Sequence, residues 1–177
     1  MNNPIMVMGI TAAGKSVIGI KLSSELGCDF VEGDGLHPIT NTAKMRAGIP
    51  LTDEDRSPWL GRIGEVIQAK MNAGTRVVFS CSALKAAYRE QLRQTIPGLI
   101  TIYLQVDPLT AEQRSLARSD HFMPASLVQS QWMTLQVPTN EPNTVTVDTI
   151  GSTEEVLERA LDALRALYQS DTKLPIS

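Results

Sequence analysis

The run Gly9-Ile10-Thr11-Ala12-Ala13-Gly14-Lys15-Ser16 meets G-x-x-x-x-G-K-[ST] at every fixed position. Its chemistry lies in the backbone. Glycines at both ends permit angles that a side chain would block, so consecutive N–H groups point inward and surround phosphate oxygens. A helix starting at Lys15 would add the partial positive charge of its N-terminus. Lys15 would bridge the β- and γ-phosphates, and the Ser16 hydroxyl would take a place on Mg²⁺. Ala12 and Ala13 are small enough for such a loop to close.

A phosphate loop indicates a nucleoside triphosphate, not its fate. An Asn-Lys-x-Asp guanine reader is missing, since Asn41 and Lys44 have the wrong spacing. The apolar run Val77-Val78-Phe79 leads to Ser80-Cys81-Ser82, not to the Asp of a motor ATPase. The run before Gly33-Asp34 does lead to a carboxylate. Asp34 is therefore read as a general base that takes the proton of an attacking hydroxyl, against the plainer reading of a turn or cap residue. Arg114 and Arg118 share a helical face and are read as a clamp on the transferring phosphoryl group. His37 and Arg56, in a polar stretch over residues 34–59, and Lys85 and Arg89, spaced by four, are candidates for a second substrate. A guanidinium grips a carboxylate through two parallel hydrogen bonds. Lys85 and Arg89 also fit an ordinary helix surface paired with acids such as Glu90. Trp59 is read as a core residue, and His121 as a loop-tip candidate.

The elements that must position these groups follow from apolar periodicity. Strands are expected at residues 4–8, 29–32, 76–80, 99–106 and 144–148, and the first and third are almost wholly apolar, as in a sheet covered on both faces. Helical faces are formed by Ile18, Leu22 and Leu26; by Leu60, Ile63, Ile67 and Met71; by Leu84, Tyr88 and Leu92; by Val128, Trp132 and Leu135; and by Val156, Ala160, Leu164 and Leu167, the last behind a Ser152–Glu155 capping box. Strands alternating with helices give a doubly wound α/β domain, with binding groups at the carboxyl ends of the strands. Residues 33–59 and 114–124 break the alternation. One domain over residues 1–170 is expected, with a frayed tail over residues 171–177.

Composition bounds the partners. The 177 residues are 42% hydrophobic and 20% charged, as in a globular chain. Sixteen Lys and Arg against nineteen Asp and Glu give a net charge of −3, a poor surface for nucleic acid or an anionic membrane. Two cysteines, Cys28 and Cys81, do not make a disulfide scaffold, and two histidines leave no structural zinc set. No apolar run approaches the roughly 20 residues of a membrane span, and the N-terminus does not read as a secretion signal, so a cytoplasmic location is expected.

Four segments in order carry a resemblance: GITAAGKS at residues 9–16, GDGLHPITNTAKMRAGIPLTDEDRSPWL at 33–60, CSALKAAYREQLR at 81–93, and RSLARSDHFMPASLVQSQWMTLQVP at 114–138. Together they cover 74 of the 177 residues and resemble the gluconate kinases of the small P-loop type. The resemblance implies transfer of the ATP γ-phosphate to the 6-hydroxyl of D-gluconate. It implies a P-loop NTPase fold like that of the nucleoside-monophosphate kinases: a five-stranded parallel sheet flanked by helices, with a mobile lid at about residues 115–135. It implies a homodimer, Mg²⁺, Lys15 and Asp34 as catalytic groups, residues 9–16 with Arg114 and Arg118 on the nucleotide, and His37, Arg56, Lys85, Arg89 and His121 near gluconate. Departures from the family pattern are Thr11-Ala12-Ala13 for Ser-Gly-Ser, Trp132 for Phe, Gln136 for Glu, and Asp120 for a Gly of the lid. A kinase for shikimate or another sugar acid, and a nucleotide-sensing module, are the alternatives.

Overall fold

The computed structural model describes residues 3–117 and 126–171. Five strands, β1 (Ile5–Met8), β2 (Asp29–Val31), β3 (Val77–Cys81), β4 (Ile100–Gln105) and β5 (Thr144–Asp148), form one sheet in the order β2-β3-β1-β4-β5, every pair parallel. All five lie where the apolar runs placed them, within one residue at each end.

β1 occupies the centre and shows why its run is apolar throughout. Ile5 and Val7 point to one face, where they meet Ile18 and Leu22 of α1 (Lys15–Leu26) and Val156, Ala160 and Leu164 of α7 (Thr153–Asp171). Met6 and Met8 point to the other, against Trp59, Leu60, Ile63 and Ile67 of α3 (Asp53–Asn72) and Tyr88 and Leu92 of α4 (Ala86–Thr95). All four β1 side chains are fully buried. Each contributes roughly 1.5–3 kcal/mol by leaving water, so the strand that carries the phosphate loop is anchored in both core layers.

The α7 capping box forms as expected: Glu155 N–H donates to Ser152 Oγ at 3.2 Å, and Ser152 N–H to the Glu155 carboxylate at 2.7 Å. A second box opens α3. Asp55 N–H donates to Thr52 Oγ1 at 3.2 Å, and Thr52 N–H to Asp55 Oδ2 at 2.9 Å. The apolar face of α3 begins only at Trp59, one residue after Pro58, so its first turn reads as loop in sequence. Pro58 is the sixth residue of the helix, so it removes the N–H that would bond the Glu54 carbonyl, and the packing of the rest of α3 carries that loss. The irregular stretch over residues 33–59 thus resolves into a 3₁₀ turn (Gly33–Leu36), the helix α2 (Ile39–Arg46), a short link, and the start of α3.

The segment expected to form the lid, about residues 115–135, takes in the end of α5 (Pro108–Leu116) and the whole of α6 (Ser126–Thr134). Arg118, Asp120 and His121 lie outside the described residues, as do residues 172–177 of the expected tail, whose first residue, Asp171, instead ends α7 (Thr153–Asp171).

Candidate active site

The phosphate loop joins β1 to α1. Gly9 has φ +146°, and a Cβ there would stand 2.9 Å from the Leu104 carbonyl oxygen. Gly14 caps α1 at φ +95°, and its own side of the helix offers no side-chain acceptor. The first turn of α1 holds no acidic residue, so its N–H groups and dipole remain directed at an anion. Lys15 is 7% exposed, and its Nζ donates to the Ile10 carbonyl at 2.9 Å, folding over the loop it serves. Ile10, Thr11, Ala12 and Ala13 are buried, whereas Ser16 is partly exposed at the mouth. Thr11 N–H donates to the Gln131 side-chain carbonyl at 2.7 Å, which ties α6 to the loop.

Asp34 reaches the same place from β2. The preceding Gly33 is pressed against β3, so a Cβ on it would lie 2.0 Å from the Ser80 carbonyl oxygen. Gly33 N–H donates to Ser80 Oγ at 3.0 Å, Ser80 Oγ donates to the Glu32 carboxylate, and Trp59 Nε1–H donates to the Gly33 carbonyl at 2.8 Å. Two hydrogen bonds at Gly33, one of them with a serine that Glu32 orients, and a backbone contact therefore fix the residue that aims Asp34.

Lys15, Asp34, His37, Arg56, Trp59, Ser82 and Gln131 line one cavity beside the loop. Lys15, Asp34 and Arg56 all act electrostatically on the buried Cys81 thiol, which burial above all pushes up to about 12. Arg56 is 9% exposed, donates to the Leu51 carbonyl, and lies 5.8 Å from the centre of the Tyr88 ring. The His37 ring stacks on Trp59 with centroids 4.0 Å apart and planes 13° from parallel. Burial, aided by Arg56, pushes His37 down to about 4, so it is neutral at physiological pH.

Of the residues singled out in the sequence, Lys15, Asp34, His37 and Arg56 come together. Lys85 and Arg89 do not line the cavity. Lys85 Nζ is held by Asp53 at 2.6 and 2.8 Å, which keeps its ammonium pKa raised. Arg89 is fully buried in protein contacts: Nη1 donates to the carbonyls of Ala83 at 2.8 Å and Leu84 at 3.1 Å, and Nε and Nη2 grip the Glu141 carboxylate. The expectation that the Arg89 fork meets a substrate carboxylate is corrected: its carboxylate is the chain's own Glu141. What it holds is the turn behind Ser82. Trp59 joins both roles, being 1% exposed yet lining the cavity. Ser82 and Gln131 carried no sequence signal of their own. They arrive through the fold, one at the end of β3 and the other across the cavity on α6.

On the opposite side of the loop, Ala12, Ala13, Gly14, Val17, Arg114, Thr149 and Gly151 line a groove of about 330 Å³. Arg114 is held there by donating from Nη2 to the Thr149 carbonyl at 3.0 Å. Ala12, Ala13 and Gly14 of the loop thus line a groove of nucleoside size, while Lys15 at its end lines the polar cavity.

Comparison with known proteins agrees with this arrangement. A family described as AAA domain matches residues 5–142. A gluconokinase of Gluconobacter oxydans (strain 621H) is 40% identical over 92% of this chain and 91% of its own length. The thermosensitive gluconokinase of Escherichia coli (strain K12) is 36% identical over 93% and 89%. The crystal structure of a gluconokinase from Sinorhizobium meliloti 1021 superposes with a TM-score of 0.87 at 42% identity, covering 96% of this chain and 95% of that one. With the five-stranded parallel sheet, the phosphate loop and these relatives in agreement, the chain belongs to the gluconokinase family of P-loop kinases.

Proposed function

We propose that this chain transfers the γ-phosphoryl group of ATP to the 6-hydroxyl of D-gluconate, forming 6-phospho-D-gluconate and ADP. The observation that carries this reading is the shared cavity wall of Lys15 and Asp34, one from the phosphate loop and the other from the end of β2. The gluconokinase names of its relatives supply the substrate class.

ATP lies with its nucleoside in the groove beside Arg114 and its phosphates on the loop amides. Gluconate enters the cavity on the other side. The 6-oxygen attacks the γ-phosphorus in line, the bond to the β–γ bridging oxygen breaks, and the hydroxyl proton passes to the Asp34 carboxylate. Lys15 neutralises charge on the phosphoryl oxygens. Arg56 and His37 bind polar groups of the acid. The cavity has about 20 Å³ of free room, enough for little more than one water. Leu127, Ser130 and Gln131 of α6 form part of its wall, so a six-carbon acid enters when α6 moves outward.

The donor set suits Mg²⁺. Ser16 offers a hydroxyl at the loop's end, and among the described residues no group of three or more His, Cys, Asp or Glu gathers to hold a metal. That fits a hard ion carried mostly by phosphate oxygens and water. Ser16 would hold it, and the ion would neutralise phosphate charge.

Among the described residues no helix is long and apolar enough to cross a membrane. The reading extends, by family resemblance, to one kinase domain with a lid over residues 115–135, to Arg118 on the nucleotide and His121 near gluconate, and to a cytoplasmic homodimer that light scattering would test.

The deciding assay is coupled ADP release with D-gluconate, set against shikimate and a panel of other sugar acids. We expect gluconate to be preferred, and Lys15→Ala and Asp34→Asn each to lower turnover at least about a hundredfold with the fold retained. ADP release that no acceptor stimulates would make the chain a nucleotide sensor instead. Asp34→Asn within tenfold of wild type would remove the base.

A further inference from the structure

His37 and Asp34 line the same cavity, and an imidazole beside a reacting hydroxyl is ordinarily a candidate base. Which ring nitrogen carries the proton decides what His37 can do, and the surrounding bonds decide that.

The chain of constraint starts at a backbone carbonyl. Asn41 is 2% exposed, and its side-chain Nδ2 lies 2.7 Å from the Asp55 carbonyl oxygen in the first turn of α3. A carbonyl oxygen only accepts, so the atom facing it is the amide nitrogen, and the Asn41 amide has one possible orientation. The same Nδ2 lies 3.3 Å from His37 Nδ1. An NH₂ group has two hydrogens and no acceptor capacity, so one goes to Asp55 and the other to the ring. His37 Nδ1 must therefore accept, and the ring proton resides on Nε2. The Trp59 stack fixes the ring plane, and no group among the described residues bonds Nε2.

We propose that Asn41 is a positioning residue that holds His37 as the Nε2–H tautomer, so that His37 donates a hydrogen bond to an oxygen of the bound sugar acid and takes no proton from it. Among the described residues that line the cavity, Asp34 is then the one base. The substrate part of this proposal rests on the sugar-acid kinase reading above, whereas the tautomer does not. Groups bearing on the ring agree. Arg56 opposes a cationic imidazole, Lys15 lines the same cavity, and Asp55, whose carboxylate could compensate, is engaged by Lys44 at 2.7 Å. Half-buried against the Trp59 ring, the imidazole stays neutral through the physiological range.

The chain has only two histidines, so the state of each is directly readable. Protein labelled with ¹⁵N-imidazole histidine gives two ring spin systems in a two-bond ¹H–¹⁵N spectrum, and His37→Gln identifies the His37 set by its loss. We expect Nε2 protonated and Nδ1 bare from about pH 6 to pH 8, before any substrate is added. In Asn41→Asp, where a carboxylate replaces the donor, the proton should move to Nδ1 or the ring should become cationic. Asn41→Ala, which offers no partner at all, serves if the aspartate fails to fold, and a mixture of tautomers is expected in it.

Kinetics supply the second arm. A glutamine amide places an N–H near Nε2, whereas an asparagine amide places one near Nδ1. His37→Gln should keep the gluconate KM within about threefold, and His37→Asn should raise it at least tenfold, with the ATP KM unchanged in both. A wild-type Nδ1–H or imidazolium form, or an Asn41 variant with an unaltered tautomer, overturns the positioning role. Equal KM values for the two His37 variants overturn the donor role. If the tautomer holds but gluconate is not phosphorylated, the substrate reading has failed and the Asn41 assignment stands.

Discussion

Glu141→Gln is the sharpest test of how the cavity is supported. The Glu141 carboxylate lies on a loop far from the phosphate site in sequence, with its side chain 15% exposed, and it receives Arg89, whose side chain is 0% exposed. Arg89 Nε donates at 3.0 and 2.9 Å to its two oxygens, Nη2 donates to one of them, and Arg93 Nη1 donates to the other at 2.9 Å. Glutamine keeps the shape but removes the charge and sets an NH₂ against guanidinium donors. The buried Arg89 cation is then left without its counter-ion. Breaking a buried pair from one side costs about 3–5 kcal/mol, and the partial exposure of Glu141 argues for the lower end. For a chain of this length about 3 kcal/mol corresponds to a Tm drop of about 6–12 °C. Arg89 also holds the Ala83 and Leu84 carbonyls, so Ser82 loosens and the gluconate KM should rise along with the loss of stability.

The pH dependence gives an independent check. Arg89, and after it Arg93, hold the Glu141 carboxyl below its ordinary value. A carboxyl lowered in the folded state stabilises fully above its unfolded pKa, about 4.3, and that contribution is lost as pH falls through the folded pKa. The gap between wild type and Glu141→Gln should therefore be full at pH 7 and narrow below about pH 4. Urea unfolding at several pH values measures it. A loss under about 1 kcal/mol at pH 7, or a gap that does not narrow in acid, would refute the reasoning.

Two further outcomes are expected beyond the turnover and histidine experiments above. Gly33→Ala drives a methyl to 2.0 Å from the Ser80 carbonyl, so the backbone must shift; about 2 kcal/mol of stability and at least about a hundredfold in turnover should be lost, and a near-wild-type alanine variant would show that Asp34 is not aimed by this contact. Thiol titration of the native protein should find Cys28 slow and Cys81 silent, because burial raises both thiols and Cys81 is fully enclosed, with two thiols counted after denaturation; fast native reaction of both would contradict the packing around β3.

Local chemistry was legible in the chain wherever the group and its scaffold are neighbours in sequence. The strand, loop and helix over residues 5–26 form one such unit: apolar residues, glycines at the turn, then Lys15 and Ser16 in a first turn. Period and run length likewise placed all five strands: β1, β3 and β4 are largely apolar because both their faces are buried, whereas the edge strands β2 and β5 are partly exposed and mix in Asp29, Thr144, Thr146 and Asp148. The start of α3 leaves no trace in the apolar period, because its first turn is polar on every side; its one sequence signal is the Thr52–Asp55 capping spacing.

The acceptor site was decided by contacts across the fold. Arg89 looked like an anion grip in sequence, since nothing local shows that Glu141, 52 residues on, fills its fork. Gln131 meets Thr11 across 120 residues, and Ser80 sets the position of Gly33 across 47. Even the protonated nitrogen of His37 depends on where a carbonyl of α3 lies relative to α2. Spacing along a chain encodes what a backbone can do by itself; a partner brought from a distant strand or helix exists only once the sheet has closed, because burial chooses which charges face each other and which face the substrate.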